Sequence, residues 1–350
     1  MEHNHKKIRN ICVIRLSSLG DICHMLPFIK NIKNKYPEST LYWIIGKTEY
    51  ELVRNIPNVK FIVFDKSKIN SYFQVYTKLK KINFDYLYLL QVSLRACLIS
   101  LLVNKKTTIG FNRSKSTRFY SFFIDYISKD DNKNHVVDTF LNLLSIDSKD
   151  IKFKYEWNLN ISKDQYNEKI KQFDIKKTYF LINPSSRSVD RNWQSAKYAN
   201  IADHVIKKYK VNCIFVGDSS HSTGLFIEDI LSKMSSKALN LAGKTKLFDL
   251  AALISNSKFL ISPDSGPIHI ATCTNTKVIG LYAVTNTVRA GPYNSRDYCI
   301  DKYNLALKLF YKMNHEDAKW RHKNKKKGVM DLISLEEVKF SINKLLRDLK

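Results

Sequence analysis

Rhythm is the feature that most constrains how this chain can fold. Short apolar, β-branched runs alternate with stretches of helical spacing, and the pattern occurs twice. The first set of runs is residues 10–16 (NICVIRL), 41–45 (LYWII), 59–64 (VKFIVF) and 86–92 (YLYLLQV). Between and after them, apolar residues recur every three or four positions, which predicts helices over 21–35, 48–55, 71–82 and 93–103. Runs that are apolar on both faces belong to strands covered on both sides. Strand–helix alternation then argues for a parallel sheet with right-handed crossovers.

The pattern fades in the middle and restarts. Residues 111–133 are basic, aromatic and irregular, and 135–146 read as a helix. Residues 148–178 are polar and lysine-rich with weak periodicity, as a linker would be. A strand running into a loop is then predicted over 179–186, and further strands at 213–218, 258–262 and 277–282, with helices over 195–209, 225–234, 247–255 and 267–273. A last helix is expected over 335–349, opened by a Ser334–Glu337 capping box. The expected division is 1–165, then 176–333, with the closing helix 334–350 packing back on the N-terminal domain.

The chain has 350 residues, enough for two domains with full cores. Lys plus Arg number 58 against 32 Asp plus Glu, a net charge of +26. Such a charge suits a polyanion: nucleic acid, an anionic membrane surface or a phosphorylated substrate. A composition rich in Lys, Asn and Ile throughout accounts for it equally well. The basic residues are spread along the chain and form no RRM or zinc-finger pattern, so nucleic acid is not the expected partner. The run 321–327 (RHKNKKK) reads as a solvated loop or a lipid-phosphate contact. The six cysteines form no C-x-x-C pair and read as buried thiols of a reducing compartment. The stretch 86–103 is broken by Gln91 and Arg95, which makes it a strand and a helix rather than a membrane span.

In parallel sheets, ligands bind beyond the carboxyl ends of the strands, so the loops there carry the candidates. Arg15-Leu16-Ser17-Ser18-Leu19-Gly20-Asp21 follows the first strand. Gly20 permits a close approach. Asp21 suits either a helix cap or a reactive carboxylate. Asn183-Pro184-Ser185-Ser186-Arg187 runs on to Arg191 and Trp193, with hydroxyls and guanidinium groups fit for phosphate or for solvent. Pro263-Asp264-Ser265-Gly266-Pro267-Ile268-His269 opens a helix whose free N–H groups suit a diphosphate, although an ordinary capped junction has the same composition. His269 reads as a phosphate partner or a packing histidine. No P-loop, H-E-x-x-H, G-x-S-x-G or D-x-D pattern is present, so neither a bound metal nor a cofactor is expected.

These blocks resemble the heptosyltransferase family, glycosyltransferase family 9. ICVIRLSSLGDICHMLP is similar to its opening strand, S-x-G-D turn and helix. KFLISPDSGPIHIATCTNTKVIGLY is similar to its D-[ST]-G-x-x-H turn, and NPSSRSVDRNW to its phosphate-contacting loop. The resemblance implies α/β structure of the GT-B type: two Rossmann-like domains facing a central cleft. It implies an inverting, metal-independent transfer from a nucleotide-sugar donor, ADP-heptose, to the lipid A–Kdo or heptosyl core of lipopolysaccharide. It places Asp21 as general base, and Ser185, Ser186, Arg191, Asp264, Ser265, Gly266 and His269 on the donor. Ser18, Gly20, Arg95 and Arg118 fall toward the acceptor. Arg191 stands where the family usually has lysine, and Trp193-Gln194 replaces its W-P. A cytoplasmic protein, peripheral on the anionic inner face of the membrane, is implied. A GT-B transferase for another sugar nucleotide, or a non-catalytic glycan-binding relative, would share these blocks.

Overall fold

The computed structural model describes residues 8–127, 135–146, 152–175 and 177–349. The chain divides into two compact units, Met1–Asn160 and Ile161–Lys350.

The first unit opens with β1 (Asn10–Ile14), α1 (Leu19–Lys35), β2 (Thr40–Gly46), α2 (Lys47–Val53), β3 (Val59–Phe64) and α3 (Asn70–Leu79). It continues with β4 (Phe84–Leu89), α4 (Leu94–Leu101), β5 (Lys105–Gly110), α5 (Arg118–Ser121), β6 (Tyr126–Ile127) and α6 (Val136–Asn142). The strands form one sheet in the order β3-β2-β1-β4-β5-β6, and every pairing is parallel. The central β1 is apolar on both faces because both faces are covered: Ile11, Cys12, Val13 and Ile14 have no exposed surface.

β5 escaped the sequence reading. Its KKTTIG sequence is mostly polar, yet Thr107 and Thr108 pair with Tyr86 and Leu87 of β4. Its β-branched threonines fit the pleat, and sheet pairing overrides the weak apolar signal.

The second unit contains α7 (Lys163–Lys171), β7 (Tyr179–Ile182), α8 (Ser195–Tyr209), β8 (Asn212–Phe215), α9 (His221–Ser232), β9 (Leu239–Asn240), α10 (Leu247–Ser255) and β10 (Leu260–Pro263). Then come α11 (Gly266–Cys273), β11 (Val278–Tyr282), α12 (Thr287–Ala290), β12 (Ile300–Asp301), α13 (Tyr303–Ala306) and α14 (Leu335–Asp348). The sheet order β12-β11-β10-β7-β8-β9 repeats the connectivity of the first. Both units are therefore Rossmann-like, as the repeated rhythm implies. β12 and the short helices around it lie beyond the last strand read from sequence, where the runs are too short to show a period.

The polar middle is apportioned by particular contacts. The buried Asn31 exchanges hydrogen bonds with the Lys154 backbone, at 2.8 and 3.0 Å, and ties that segment to the first unit. Asn160 Nδ2 donates to the Asn55 carbonyl at 2.8 Å. From Ser162 onward the chain belongs to the second unit: Tyr166 stacks on Phe248 and Gln172 reaches Asp249. Most of the expected linker is thus tied down by polar contacts that leave no hydrophobic period. The closing helix also differs from expectation. The Ser334–Glu337 capping box forms, but Val338, Ile342 and Leu345 join the core of the second unit beside α8. Their one-sided apolar stripe shows that the helix packs without showing on what.

Candidate active site

On the first unit the site is built where β1 ends. Ser18 is the N-cap of α1 and Asp21 its third residue. The Ser18 N–H and hydroxyl donate to Asp21 Oδ2 at 3.2 and 2.8 Å, closing a capping box. Arg15 pairs with the same oxygen, and its other nitrogen donates to the Leu90 carbonyl after β4. The guanidinium also lies over the Phe140 ring, 5.6 Å from its centre. Gln91 Oε1 accepts the Leu16 and Ser17 N–H groups at 2.7 and 3.2 Å and fixes the loop from the neighbouring strand. Gly46 braces the other side. Its N–H donates to the Leu16 carbonyl at 3.1 Å, and a Cβ there would collide with that oxygen.

Asp21 therefore takes the cap role without being hidden by it. It caps its helix, and its side chain keeps 28% exposure at the sheet's carboxyl edge. Gly20 is an ordinary first-turn residue of α1. Arg95 and Arg118, in the first turns of α4 and α5, are exposed on that same edge. The sequence reading gave no role to Arg15, Gln91 or Phe140. The signal for Arg15 was present as a cation inside an apolar strand run.

The second unit assembles its site at the ends of the adjacent strands β7 and β10. Asn183 Nδ2 lies 2.8 Å from the Ser185 carbonyl and 3.0 and 3.1 Å from the hydroxyls of Ser262 and Ser265. Those hydroxyls are 2.8 Å apart. This buried network fixes Ser265 as the N-cap of α11, whose side chain makes no capping bond to the helix. The first-turn N–H groups of α11 thus point outward without a side-chain cap, the arrangement that attracts an anion.

Arg191 crosses to this junction. Its Nη1 donates to the Asp264 carbonyl at 2.9 Å and lies 3.1 Å from the Asp264 carboxylate. His269 Nε2 stands 3.9 Å from the other carboxylate oxygen, too far for a hydrogen bond but close enough to feel its charge. Burial pushes the Asp264 carboxyl up. His269, Arg191 and Thr285 outweigh that and hold it below the ordinary carboxylate range. Beneath the loop, Trp193 is buried and donates to the Ile333 carbonyl at 3.1 Å.

Two more cations join the cluster, and the sequence reading assigned neither to it. Desolvation, with Arg191 and Arg289 alongside, holds the Lys323 ammonium below the usual lysine value, while Asp264 pulls the other way. Arg289 lies over the Trp320 ring, 4.5 Å from its centre. The basic run 321–327 is brought here by Asn324, which has no exposed surface. The Asn324 N–H donates to the Val284 carbonyl at 2.9 Å, and its side chain to the Ala283 and Tyr303 carbonyls at 2.9 and 3.0 Å. A buried asparagine within a charge run is a signal that sequence does offer, since nothing else in that run suits an interior.

The expected serines are placed at the site, but their hydroxyls have local partners. Ser185 Oγ lies 3.1 Å from Thr223 Oγ1 of α9, and Ser186 Oγ donates to the Ser188 carbonyl at 2.8 Å.

Residues 72–319 match glycosyltransferase family 9 (heptosyltransferase). The chain belongs to this family. It is 33% identical over 338 residues to the lipopolysaccharide core heptosyltransferase OpsX of Haemophilus influenzae, covering 96% of this chain and 97% of that protein. A family 9 glycosyltransferase from Veillonella parvula superposes with a TM-score of 0.79 at 20% identity, covering 99% of this chain and all of the other. The Escherichia coli heptosyltransferase WaaC with ADP gives a TM-score of 0.72 at 13% identity, covering 96% and 99%. The fold is that of the GT-B heptosyltransferases, and the protein is a glycosyltransferase of family 9.

Proposed function

We propose that this family 9 glycosyltransferase moves a heptose from ADP-heptose to the inner core of lipopolysaccharide, a lipid A–Kdo or heptosyl acceptor, with inversion and without a metal. The observation that carries the reading is the uncapped N-terminus of α11 beside the Arg191–Asp264 pair, with Lys323 in the field of both. A nucleoside diphosphate leaving as an anion needs such a surplus of positive charge. Arg191 keeps a buried Nε that has no partner among the described residues, so its donor capacity is not exhausted by Asp264.

Asp21 is the proposed general base. Arg15 and Ser18 hold its carboxylate in one orientation, and its exposure leaves it within reach of an acceptor hydroxyl. Taking the hydroxyl proton as the oxygen attacks the anomeric carbon lets the diphosphate depart from the opposite face. Arg95 and Arg118, on the same sheet edge, suit acceptor carboxylates or phosphates. Ser265, Gly266 and His269, with Ser185 and Ser186 nearby, are proposed on the donor. The name of the Haemophilus relative supports the lipopolysaccharide acceptor. A cytoplasmic site of action at an anionic membrane surface is part of the same proposal; no helix among the described residues is long and apolar enough to cross a membrane.

The test is product detection by mass spectrometry, with ADP-heptose and a panel of other sugar nucleotides offered against deep-rough core acceptors. A heptose-sized mass increase with ADP-heptose alone is expected. Transfer of a different sugar would replace the donor assignment, and no transfer from any donor would remove the catalytic reading.

A further inference from the structure

The outer surface of the first unit carries an apolar face that neither site uses. The crossovers from β3 through α3 to β4, and from β4 through α4 to β5, run the same way along the sheet. Right-handed connections therefore place α3 and α4 in one layer, opposite α1 and α2. On α3 and the residue before it, Ile69, Phe73 and Tyr76 are exposed at helical spacing, Ile69 with 90% of its surface in solvent. On α4, Leu94, Leu98 and Leu101 repeat that stripe. Phe119 and Phe122 extend it at α5, Phe122 with 78% exposed. Single exposed apolar side chains need no explanation, but two parallel helical stripes with a pair of phenylalanines do.

Along these elements basic residues far outnumber acidic ones. The sole acidic residue between Asp65 and Asp125 is Asp85, and it is ion-paired with Lys106 at 2.6 Å. Lys68, Lys78, Lys80 and Lys81 border the α3 stripe and are exposed. Arg95, Arg113 and Arg118 border the other two elements and are exposed as well. The starts of α3, α4 and α5 lie at the carboxyl edge of the sheet, the edge that also holds Asp21.

We propose that this α3–α4–α5 face docks the protein on an anionic phospholipid surface. Its phenylalanines and leucines enter the headgroup boundary while Lys68, Lys78, Lys80, Lys81 and Arg113 meet lipid phosphates. Apolar area and cationic charge act together in such interfacial binding. The chemistry decides for a lipid surface over a second copy of the chain. Two such faces would bring uncompensated cations together, whereas an anionic bilayer matches both the apolar stripes and the charge. The inference deepens the proposed action at a membrane surface and rests on that reading for its biological setting. Its consequence is that the Asp21 edge faces a lipid-anchored acceptor.

The experiment is cosedimentation of the full chain with vesicles of phosphatidylcholine, with and without one third phosphatidylglycerol. The wild-type protein is expected to bind only the anionic vesicles and to lose binding as salt rises. Phe73→Ser with Leu94→Ser and Phe122→Ser should weaken partitioning by about tenfold or more, at an unchanged melting temperature. Lys78→Gln with Lys80→Gln and Lys81→Gln, three exposed side chains, should weaken it as well. Wild-type failure to bind anionic vesicles would overturn the proposal, as would full binding by both variants. A wild-type dimer in analytical ultracentrifugation that the serine variant abolishes would also overturn it, since the face would then belong to a second copy. Transfer to a delipidated acceptor is measured in parallel and should be unchanged in both variants. Failure of docking and failure of the transfer reading thus give separate results.

Discussion

The two strand-to-helix junctions, β1 to α1 and β10 to α11, hold the same pair of groups and put them to different uses. Each has an aspartate joined to an arginine: Asp21 with Arg15, and Asp264 with Arg191. At the first junction the aspartate sits inside the helix and closes a capping box with Ser18. The carboxylate, held by Ser18 and Arg15, is what faces outward there. At the second, the aspartate precedes the N-cap, its side chain is 12% exposed, and Ser265 leaves the helix uncapped. There the N–H groups face outward, and the carboxylate is a buried counter-charge for the cations. A displacement of four residues relative to the cap, from one before it to three after it, separates a junction that exposes its N–H groups from one that exposes its carboxylate.

The largest test of this contrast is Asp21→Asn, which keeps the size and polarity of the side chain while removing its basicity. Turnover should fall by about 10²- to 10⁴-fold, with donor affinity, measured calorimetrically with ADP, at the wild-type level. An equal loss of donor affinity would mean that the first junction also binds the anion, and the contrast would break.

Arg191→Ala should show the reverse pattern. Loss of a charged hydrogen-bond partner typically costs about 1.5–3 kcal/mol, or roughly ten- to a hundredfold in ADP affinity. Its substitution by lysine should restore part of that affinity but not the grip on the Asp264 carbonyl.

The smallest expected effect separates the two carboxylates by acid stability. The Asp264 carboxyl is held below its ordinary value, so it stabilises the fold fully above about pH 4, the unfolded carboxylate value, and loses that contribution as pH falls through its depressed value. Asp264→Asn should lower the melting temperature by several degrees at pH 6, because it leaves buried cations without their partner. The gap to wild type should narrow below about pH 4. A gap that stays constant with pH would show that Asp264 acts through shape rather than charge.

Much of the fold was legible because parallel strands buried on both faces leave long apolar words. VKFIVF became β3, and helix α8 took the bounds its apolar spacing predicted. The site was legible in its turns. Ser18, Asp21, Asp264 and Ser265 lie where strand ends meet helix starts, as their residue types suggested. What escaped was whatever depends on partners distant in sequence. KKTTIG is a strand only because β4 lies beside it. Ser185 looked like a free hydroxyl, and only the folded chain brings Thr223 to it.

Sequence alone settled the two α/β units and the two acidic turns, because burial pattern and capping chemistry are local and repeat with the period of the backbone. Tertiary structure alone decided that Arg191 lies against Asp264 and that Lys323 feels Arg191, Arg289 and Asp264 together. Arg191, Arg289 and Lys323 come from separate stretches of chain, and Asn324 must bury its amide against the Ala283, Val284 and Tyr303 backbone before Lys323 arrives. Coulomb's law acts through distance in space, and sequence separation carries no record of it.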